Sequence, residues 1–147
     1  MKVSDVMTTS VVTVPSSTPI RNLWKLLVKK RINCVLVADK KGHLEGLLVR
    51  EDLLSMIFSK YEEFISDFES AADFREIENH ARLVGNKTAR DVMKTRIIFT
   101  HEDTELMRAL SRMIVNHVDQ LPVVSKNNKI IGMLAKSDVF NKLFKRR

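Results

Sequence analysis

The sequence is poor in the residues on which several classes of protein depend. A single cysteine, Cys34, excludes a framework of internal disulfides and fits a reducing compartment. Only four glycines are present, and neither a Walker-type phosphate loop nor a GxGxxG fingerprint occurs. With one tryptophan, one tyrosine and no recognisable helix-turn-helix or zinc finger, nucleic-acid binding is the weaker explanation of the basic pI near 9.7.

Long apolar runs are also missing. Blocks such as Cys34–Ala38 are far shorter than the roughly 20 residues of a membrane-spanning helix. Residues 1–10 contain one lysine and no apolar stretch, so they do not resemble a signal peptide. We therefore expect a cytoplasmic protein with no membrane contact. The 147 residues, 44% of them hydrophobic, are enough to bury a real core.

Catalytic patterns are absent from the sequence. The four histidines are scattered, and His101-Glu102 has Glu105, not a second histidine, where a metalloprotease helix would need one. Cys34 lies in an apolar block, which predicts a buried thiol and not a nucleophile. We therefore expect no enzyme activity, no metal and no cofactor.

A repeat dominates what is present. Shifting the chain by 86 residues aligns Val3–Met7 with Ala89–Met93 and, without a gap, aligns Gly46 with Gly132 and Asp52 with Asp138. The net charge follows the same division: residues 1–54 carry +4, residues 55–88 carry −3 and residues 89–147 carry +6. The sequence therefore predicts two copies, residues 1–58 and 86–147, with an insert at 59–85.

Each copy predicts the same order of elements, β-α-β-β-α. The strands are expected at 11–14, 34–38 and 44–49, and at 97–100, 121–124 and 130–135. Thr18 and Thr104 are expected to be N-caps of the first helices, and second helices are expected to begin at Arg50 and Lys136. The first helices carry their apolar residues at helical spacing: Ile20, Leu23, Trp24, Leu27 and Val28, then Leu106, Leu110, Met113 and Ile114.

The two copies resemble a pair of CBS domains. The resemblance rests on the repeated Asp-Val-Met, on residues 120–140 (QLPVVSKNNKIIGMLAKSDVF) and on their weaker twin, residues 34–54 (CVLVADKKGHLEGLLVREDLL). It implies an α+β fold of tandem repeats packed with pseudo-two-fold symmetry, and clefts between the halves that hold adenosine-containing ligands. AMP, ADP, ATP, S-adenosylmethionine and cyclic di-AMP are the ligands of that class.

The resemblance also implies which residues bind. The family pattern is Gly, two apolar residues, Thr or Ser, two variable residues and then an Asp that accepts hydrogen bonds from the ribose. This chain keeps the Gly and the Asp, but Val49 and Ala135 replace the hydroxyl residue. The simpler interpretation of Asp52 and Asp138 is stabilisation of a helix N-terminus. The other expected ligand-binding residues are Thr18, Thr104, Arg50, Lys136, Asn33 and Asp119 around the phosphate, and Val12, Ile32, Leu47, Ile98, Val118 and Met133 around the adenine.

One feature of this set predicts that the two sites are unequal. Asp119 would repel an anion at short range, whereas its counterpart Asn33 would not. We expect a regulatory module that binds an adenosine nucleotide, forms a homodimer and signals to an unknown effector protein. The alternatives are a CBS module that binds no ligand and acts by interaction alone, and a basic nucleic-acid-binding protein.

The insert carries a helical stripe. Leu54, Phe58, Tyr61, Ile65 and Phe68 recur at helical spacing, and Phe74, Ile77 and Ala81 continue in a shifted phase until Gly85-Asn86. Two interpretations stay open: a connector packed on its own module, or a surface for a dimer partner. The basic C-terminal residues 142–147 are expected to favour the helix dipole and solubility over nucleic-acid contact.

Overall fold

The structure, a computed structural model, describes residues 1–58 and 71–145. The chain combines helices with short strands, and the α+β class predicted for a tandem pair is confirmed. The elements are a 3-10 turn Val3–Asp5, β1 Thr13–Val14, α1 Ile20–Lys30, β2 Cys34–Ala38, β3 Leu44–Val49, α2 Arg50–Phe58, α3 Ala71–Gly85, α4 Ala89–Val92, α5 Leu106–Val115, β4 Gln120–Val124, β5 Ile130–Ala135 and α6 Lys136–Phe144.

The first strand of each copy is shorter than predicted. In the first copy it is reduced to Thr13–Val14, at the edge of a sheet with the order β1-β2-β3. In the second copy only Thr100 pairs, in parallel with Val123 of the antiparallel β4-β5 pair. Pro122 has no N–H to donate to Ile98, so the ladder cannot extend along the predicted strand 97–100.

Contacts divide the described chain into two compact units, and each unit has its own core. Unit 1 consists of residues 1–13, 38–45 and 96–147, and unit 2 of residues 14–37 and 46–95. The two cores are built from corresponding positions of the repeat. The pairs, 86 residues apart, are Ile20 and Leu106, Leu23 and Ala109, Leu27 and Met113, Val35 and Leu121, Val37 and Val123, Leu48 and Leu134, and Leu53 and Val139.

The strands follow their hydrophobic patterns. All five residues of β2 are apolar, and its central Val35, Leu36 and Val37 are fully buried. In β3 the buried residues alternate with partly exposed ones, because successive side chains of a strand point to opposite faces. This alternation leaves Leu47 and Val49 partly exposed beside the buried Leu48.

The first helices end in the same way in both copies. Arg31 is the C-cap of α1 and has φ of 54°, and His117 after α5 has φ of 55°. These left-handed positions turn the chain directly into β2 and β4, without the glycine that usually fills them. The turns after β2 and β4 also match, with positive φ at Gly42 and Asn128.

Part of the predicted apolar stripe of the first helices faces outward, contrary to the prediction. Val28 is 57% exposed, and its counterpart Ile114 is 52% exposed. Trp24 is 36% exposed, although its counterpart Leu110 is buried. The buried residues lie at 20, 23 and 27 in α1 and at 106, 109, 110 and 113 in α5. Val28 and Ile114 follow the last of these by one residue, which turns their side chains about 100° away from the core.

Each copy begins with a short helical turn, Val3–Asp5 or Ala89–Val92, which the sequence patterns did not predict. Asp91 accepts hydrogen bonds from the backbone N–H and the hydroxyl of Thr88, at 2.9 and 3.1 Å, and so caps α4. Asp5 accepts one from the backbone N–H of Lys2 at 2.7 Å. The Thr88 donors stabilise the charged form and hold the pKa of Asp91 below its ordinary value.

The described part of the insert is a helix that packs on unit 2. Ile77 and Val84 of α3 are buried, and Val84 belongs to the core of that unit. The helix ends at Gly85, as predicted. Phe74 is 53% exposed, and the predicted stripe residues Tyr61, Ile65 and Phe68 lie outside the described residues. For residues 71–85 the structure therefore shows a connector packed on its own module.

Membrane-spanning segments were also sought in the structure. Across residues 1–58 and 71–145, no helix combines the length and the apolar character needed to cross a bilayer.

Candidate functional site

In each unit the segment that contains Asp-Val-Met docks on a strand of the same unit. We call residues 2–8 the first leading segment and residues 88–94 the second leading segment. Thr8 and Met133 exchange two backbone hydrogen bonds of 2.9 Å in unit 1, and Lys94 and Leu47 exchange bonds of 2.9 and 3.0 Å in unit 2. Both pairs occupy the same repeat positions, so the two candidate sites are framed alike.

The glycine of the family pattern permits this close approach. A Cβ atom at Gly132 would lie 2.9 Å from the carbonyl oxygen of Thr8 and 3.0 Å from the sulfur of Met7. A Cβ atom at Gly46 would overlap the side chain of Met93. The repeated Met therefore fits into the space that the repeated Gly leaves. This packing brings the leading segment close to the strand that precedes the Asp of the pattern.

Asp52 lies in the first turn of α2 and forms an ion pair. Its Oδ2 lies 2.9 Å from Nζ of Lys94, and the two side chains are 43% and 58% exposed. Lys94 is the residue that follows Asp-Val-Met in the second leading segment. The carboxylate that is the candidate for ribose binding in unit 2 is thus paired with a lysine of the protein itself.

Asp138, the counterpart of Asp52 in unit 1, has different surroundings. It lies in the first turn of α6 and lines an open cavity of about 300 Å³. Among the residues that the structure describes, no ion pair involves Asp138. The other residues around the cavity are Asp5, Val6, Thr8, Asn141, Lys142 and Lys145.

The two threonines are not helix caps, contrary to the prediction. The N-caps of α1 and α5 are Pro19 and Glu105, with φ and ψ outside the helical region. The hydroxyl of Thr18 instead donates to the carbonyl of Pro15 at 2.8 Å, which closes a turn before the helix. The carbonyl of Thr104 accepts the N–H of Val3 at 2.9 Å, so it helps to fix the first leading segment.

Arg50 and Lys136 begin the second helices and are tied to the positions that precede the second strands. Their backbone N–H groups donate to the carbonyls of Asn33 and Asp119, both at 2.8 Å. Nζ of Lys136 also lies 3.6 Å from a carboxylate oxygen of Asp119, which is 94% exposed. This cation offsets the repulsion that Asp119 would exert on an anion in unit 1.

The apolar candidates are partly exposed in both units. In unit 1 they are Val12, Ile98, Val118, Met133 and Ala135, and in unit 2 they are Ile32, Leu47 and Val49. Ile98 and Val118 pack against the core of unit 1, and Ile32 packs against the core of unit 2. Side chains of this kind support a core on one side and leave an apolar surface on the other.

Sequence reasoning missed several residues of these surroundings. It did not single out Lys94, and it did not predict a second cavity of about 240 Å³ in unit 1 between Thr9, Val11, Thr13, Ala38, Gly42, Ile130 and Ile131. The capping-box spacing Thr88-x-x-Asp91 is a signal that identifies the turn before Lys94. No local pattern places that lysine beside Asp52, which is 42 residues earlier in the chain.

Groups that would favour catalysis are engaged in other contacts. Burial, followed by the charge of Asp52, raises the pKa of the Cys34 thiol to about 12, so little thiolate exists near neutral pH. Nδ1 of His101 bonds the carbonyl oxygen of Val124 at 2.8 Å, and Glu105 pairs with Lys2 at 2.6 Å. The described chain contains no group of three or more His, Cys, Asp and Glu side chains arranged for a metal ion.

Similar sequences cover nearly all of the chain. The sequence model of the CBS domain family matches residues 3–59 and 89–145. An uncharacterized protein of Methanocaldococcus jannaschii, MJ1426, is 27% identical over 154 residues, which cover 97% of this chain and 91% of that protein. Several other curated relatives are longer, and the matching region spans between 16% and 22% of their length.

Solved structures share the fold. CBSX2 from Arabidopsis thaliana, solved in complex with AMP, is 25% identical with a TM-score of 0.72, and the match covers 97% of this chain and 95% of that one. The CBS domain pair of MJ0100, solved with 5-methylthioadenosine and S-adenosyl-L-methionine, is 21% identical with a TM-score of 0.71 and the same coverage.

Proposed function

Because the chain belongs to the CBS domain family, we propose that it is a regulatory module that binds an adenosine-containing ligand and has no catalytic role. One observation carries the proposal: each unit places a carboxylate, Asp52 or Asp138, in a first helical turn six residues after the glycine that admits a leading segment. The AMP complex of the similar CBSX2 supports an adenosine ligand.

Different residues suit different parts of the ligand. A carboxylate has only acceptors, so Asp52 and Asp138 suit the two hydroxyls of a ribose. Arg50 and Lys136 suit a phosphate, and the neighbouring Asn33, Asp119, Thr18 and Thr104 complete the polar surroundings. The partly exposed apolar residues of each unit, with Val49 and Ala135 in the hydroxyl positions of the pattern, suit the adenine.

A module that binds no ligand is the second candidate function. The observation that favours it is the ion pair of Asp52 with Lys94, together with the lack of a hydroxyl at Val49 and Ala135. Each missing hydroxyl removes a contact worth about 1 kcal/mol. In this case the module would act through its surfaces alone.

Thermal unfolding with and without ligand separates these functions. A ligand that binds only the folded protein stabilises it by about 2.7 kcal/mol at 100 times its Kd. We expect AMP, ADP, ATP, S-adenosylmethionine or cyclic di-AMP to raise Tm, and we expect Asp52→Ala combined with Asp138→Ala to abolish that rise. If none of the five ligands shifts the Tm of the wild-type protein, the chain is the ligand-free module.

A matched variant separates ribose binding from helix-end stabilisation. Glu51 lies beside Asp52 in the first turn of α2 and is exposed. Glu51→Ala should lower the Tm of the free protein somewhat less than Asp52→Ala does, because both remove a charge from one helix end but only Asp52 pairs with Lys94. It should leave the ligand-induced rise intact. If both variants reduce that rise equally, the carboxylates act on the helix and not on the ligand.

We propose that the output passes to an effector protein through a homodimer. A ligand shifts such an assembly only by its differential affinity for the two states. Sedimentation at high micromolar concentration, with and without the ligand that raises Tm, tests the proposal. A monomer under both conditions would contradict it.

A further inference from the structure

The residue that follows Asp-Val-Met differs between the two leading segments. It is Thr8 in unit 1 and Lys94 in unit 2. Both residues are fixed by backbone hydrogen bonds to the same position of the adjacent strand, Met133 or Leu47. The side chain at this position is therefore free to change without loss of the contact that docks the segment.

In unit 2 the residue at this position, Lys94, forms an ion pair with the candidate carboxylate, Asp52. The ammonium group of Lys94 lies 2.9 Å from Oδ2 of Asp52. A ribose hydroxyl that donates to Oδ2 of Asp52 competes with this ammonium group for the lone pairs of the same oxygen. The ion pair therefore weakens the binding of a ribose diol at Asp52.

In unit 1 Asp138 has no ion-pair partner among the described residues, and two lysines line the same cavity. Asn141 and Lys142 lie three and four residues after Asp138 on α6, along the same face of the helix, and Lys145 is the C-cap that follows the helix. Thr8 lines the same cavity and carries no charge. The other carboxylate of the cavity, Asp5, already accepts the N–H of Lys2 through its Oδ2.

The charged residues that line this cavity suit a phosphorylated nucleoside as the ligand. A carboxylate accepts hydroxyl protons, and two ammonium groups attract an anion. A neutral nucleoside would use Asp138 but would gain nothing from Lys142 and Lys145. The exposed Asp119 lies 3.6 Å from Lys136, which offsets part of the repulsion that the sequence predicted.

We propose that the residue after Asp-Val-Met sets the relative affinity of the two carboxylates for the ligand. Asp138 in unit 1 holds a phosphorylated adenosine ligand more tightly than Asp52 does, because Lys94 competes for Asp52 in unit 2. This inference rests on the proposed function and makes the two sites unequal by sequence. An exposed ion pair of up to about 1 kcal/mol corresponds to about a fivefold change in affinity.

Exchange of the two residues tests the proposal by calorimetric titration with AMP. The wild-type protein should bind one equivalent more tightly than a second. Lys94→Thr should tighten the second equivalent by up to about fivefold. Thr8→Lys should weaken the first equivalent by at least as much, because it creates in unit 1 the pair now found in unit 2. Lys87→Thr removes an exposed lysine of the same unit and should change neither.

A second comparison tests the phosphate contact. Lys142→Gln should weaken AMP binding by about fivefold or more and leave adenosine binding unchanged. Equal loss for AMP and adenosine would show that Lys142 acts on the fold of the cavity and not on the phosphate.

The outcomes distinguish this inference from the proposed function. Two equal wild-type sites, or a Lys94→Thr variant whose second site stays the same or weakens, would overturn the role of Lys94 and leave nucleotide binding in place. If the wild-type protein and the Lys94→Thr variant bind neither AMP nor any of the other four ligands, the proposed function fails and this inference fails with it.

Discussion

At the scale of single residues, two glycines determine how closely the leading segments approach. Gly132 faces the backbone of Thr8 and the sulfur of Met7, and Gly46 faces the side chain of Met93. The glycine of the family pattern is therefore required by steric contact and not by an unusual backbone angle. In both units it brings the residue after Asp-Val-Met beside the candidate carboxylate.

Gly46→Ala should lower the free energy of unfolding by about 1–3 kcal/mol, because the new methyl group overpacks against Met93. Chemical unfolding in urea measures the change. Met93→Ala in the same chain should recover part of the loss, since it removes the atoms that overlap. A Gly46→Ala variant as stable as the wild-type protein would show that the segment does not dock this closely.

At the scale of elements, short helical turns and one longer helix organise the units. The turn α4 depends on its cap, in which Asp91 accepts two hydrogen bonds from Thr88. The helix α3 depends on tertiary contact, because its Val84 is 2% exposed and lies in the core of unit 2. We therefore expect the stability contributed by α4 to depend on pH, and the stability contributed by α3 to depend on the volume of its buried side chains.

The cap makes the stability depend on pH at acid values. The pKa of Asp91 is lowered in the folded state, so the stability it confers is present above its unfolded value near 4 and is lost as pH falls through the lower folded pKa. The difference in unfolding free energy between the wild-type protein and Asp91→Asn should therefore shrink as the pH falls from 5 to 2.5. A difference that stays constant over this range would contradict the cap.

Val84→Ala should lower the free energy of unfolding by about 2 kcal/mol, since it removes two buried carbon atoms and leaves a cavity in the core of unit 2. The neighbouring Leu83 is 65% exposed and provides the matched control. Leu83→Ala should change the stability by less than about 0.5 kcal/mol. Equal losses for the two variants would mean that α3 does not pack through Val84.

At the scale of the whole molecule, the compact units do not follow the order of the chain. Residues 1–13 belong to unit 1 with residues 96–147, and residues 88–95 belong to unit 2. Val3 completes the core of unit 1, and Ala89, its counterpart in the repeat, completes the core of unit 2. The boundaries 1–58, 59–85 and 86–147 remain a description of the sequence repeat.

Val3→Ala should destabilise unit 1 by about 2 kcal/mol, although Val3 lies some 100 residues before most of that unit. Hydrogen exchange should become faster in α5, β4 and β5, because these elements share its core. Ser4→Ala, at an exposed neighbouring position, should leave the exchange unchanged. Protection lost only within residues 1–13 would contradict the division into units.

The sequence alone determined the repeat, the fold class and most elements. Strands β2, β3 and β5, and the starts of α2 and α6, agree with the prediction, because period and apolar runs are local properties. The caps at Thr18 and Thr104 were wrong, since a hydroxyl beside a helix can close a turn instead of capping it. The ligand-binding residues as a set remain a prediction.

Only the tertiary structure decided which residues surround the two carboxylates. Asp52 and Asp138 occupy the same position of the repeat, and the sequence predicted a difference between their sites only through Asp119 and its counterpart Asn33. The docked leading segments place Lys94 beside Asp52 and Thr8 in the cavity with Asp138. Because these contacts join residues far apart in the chain, hydrophobic period and motif spacing carry no information about them. The proposed inequality of the two sites rests on that geometry.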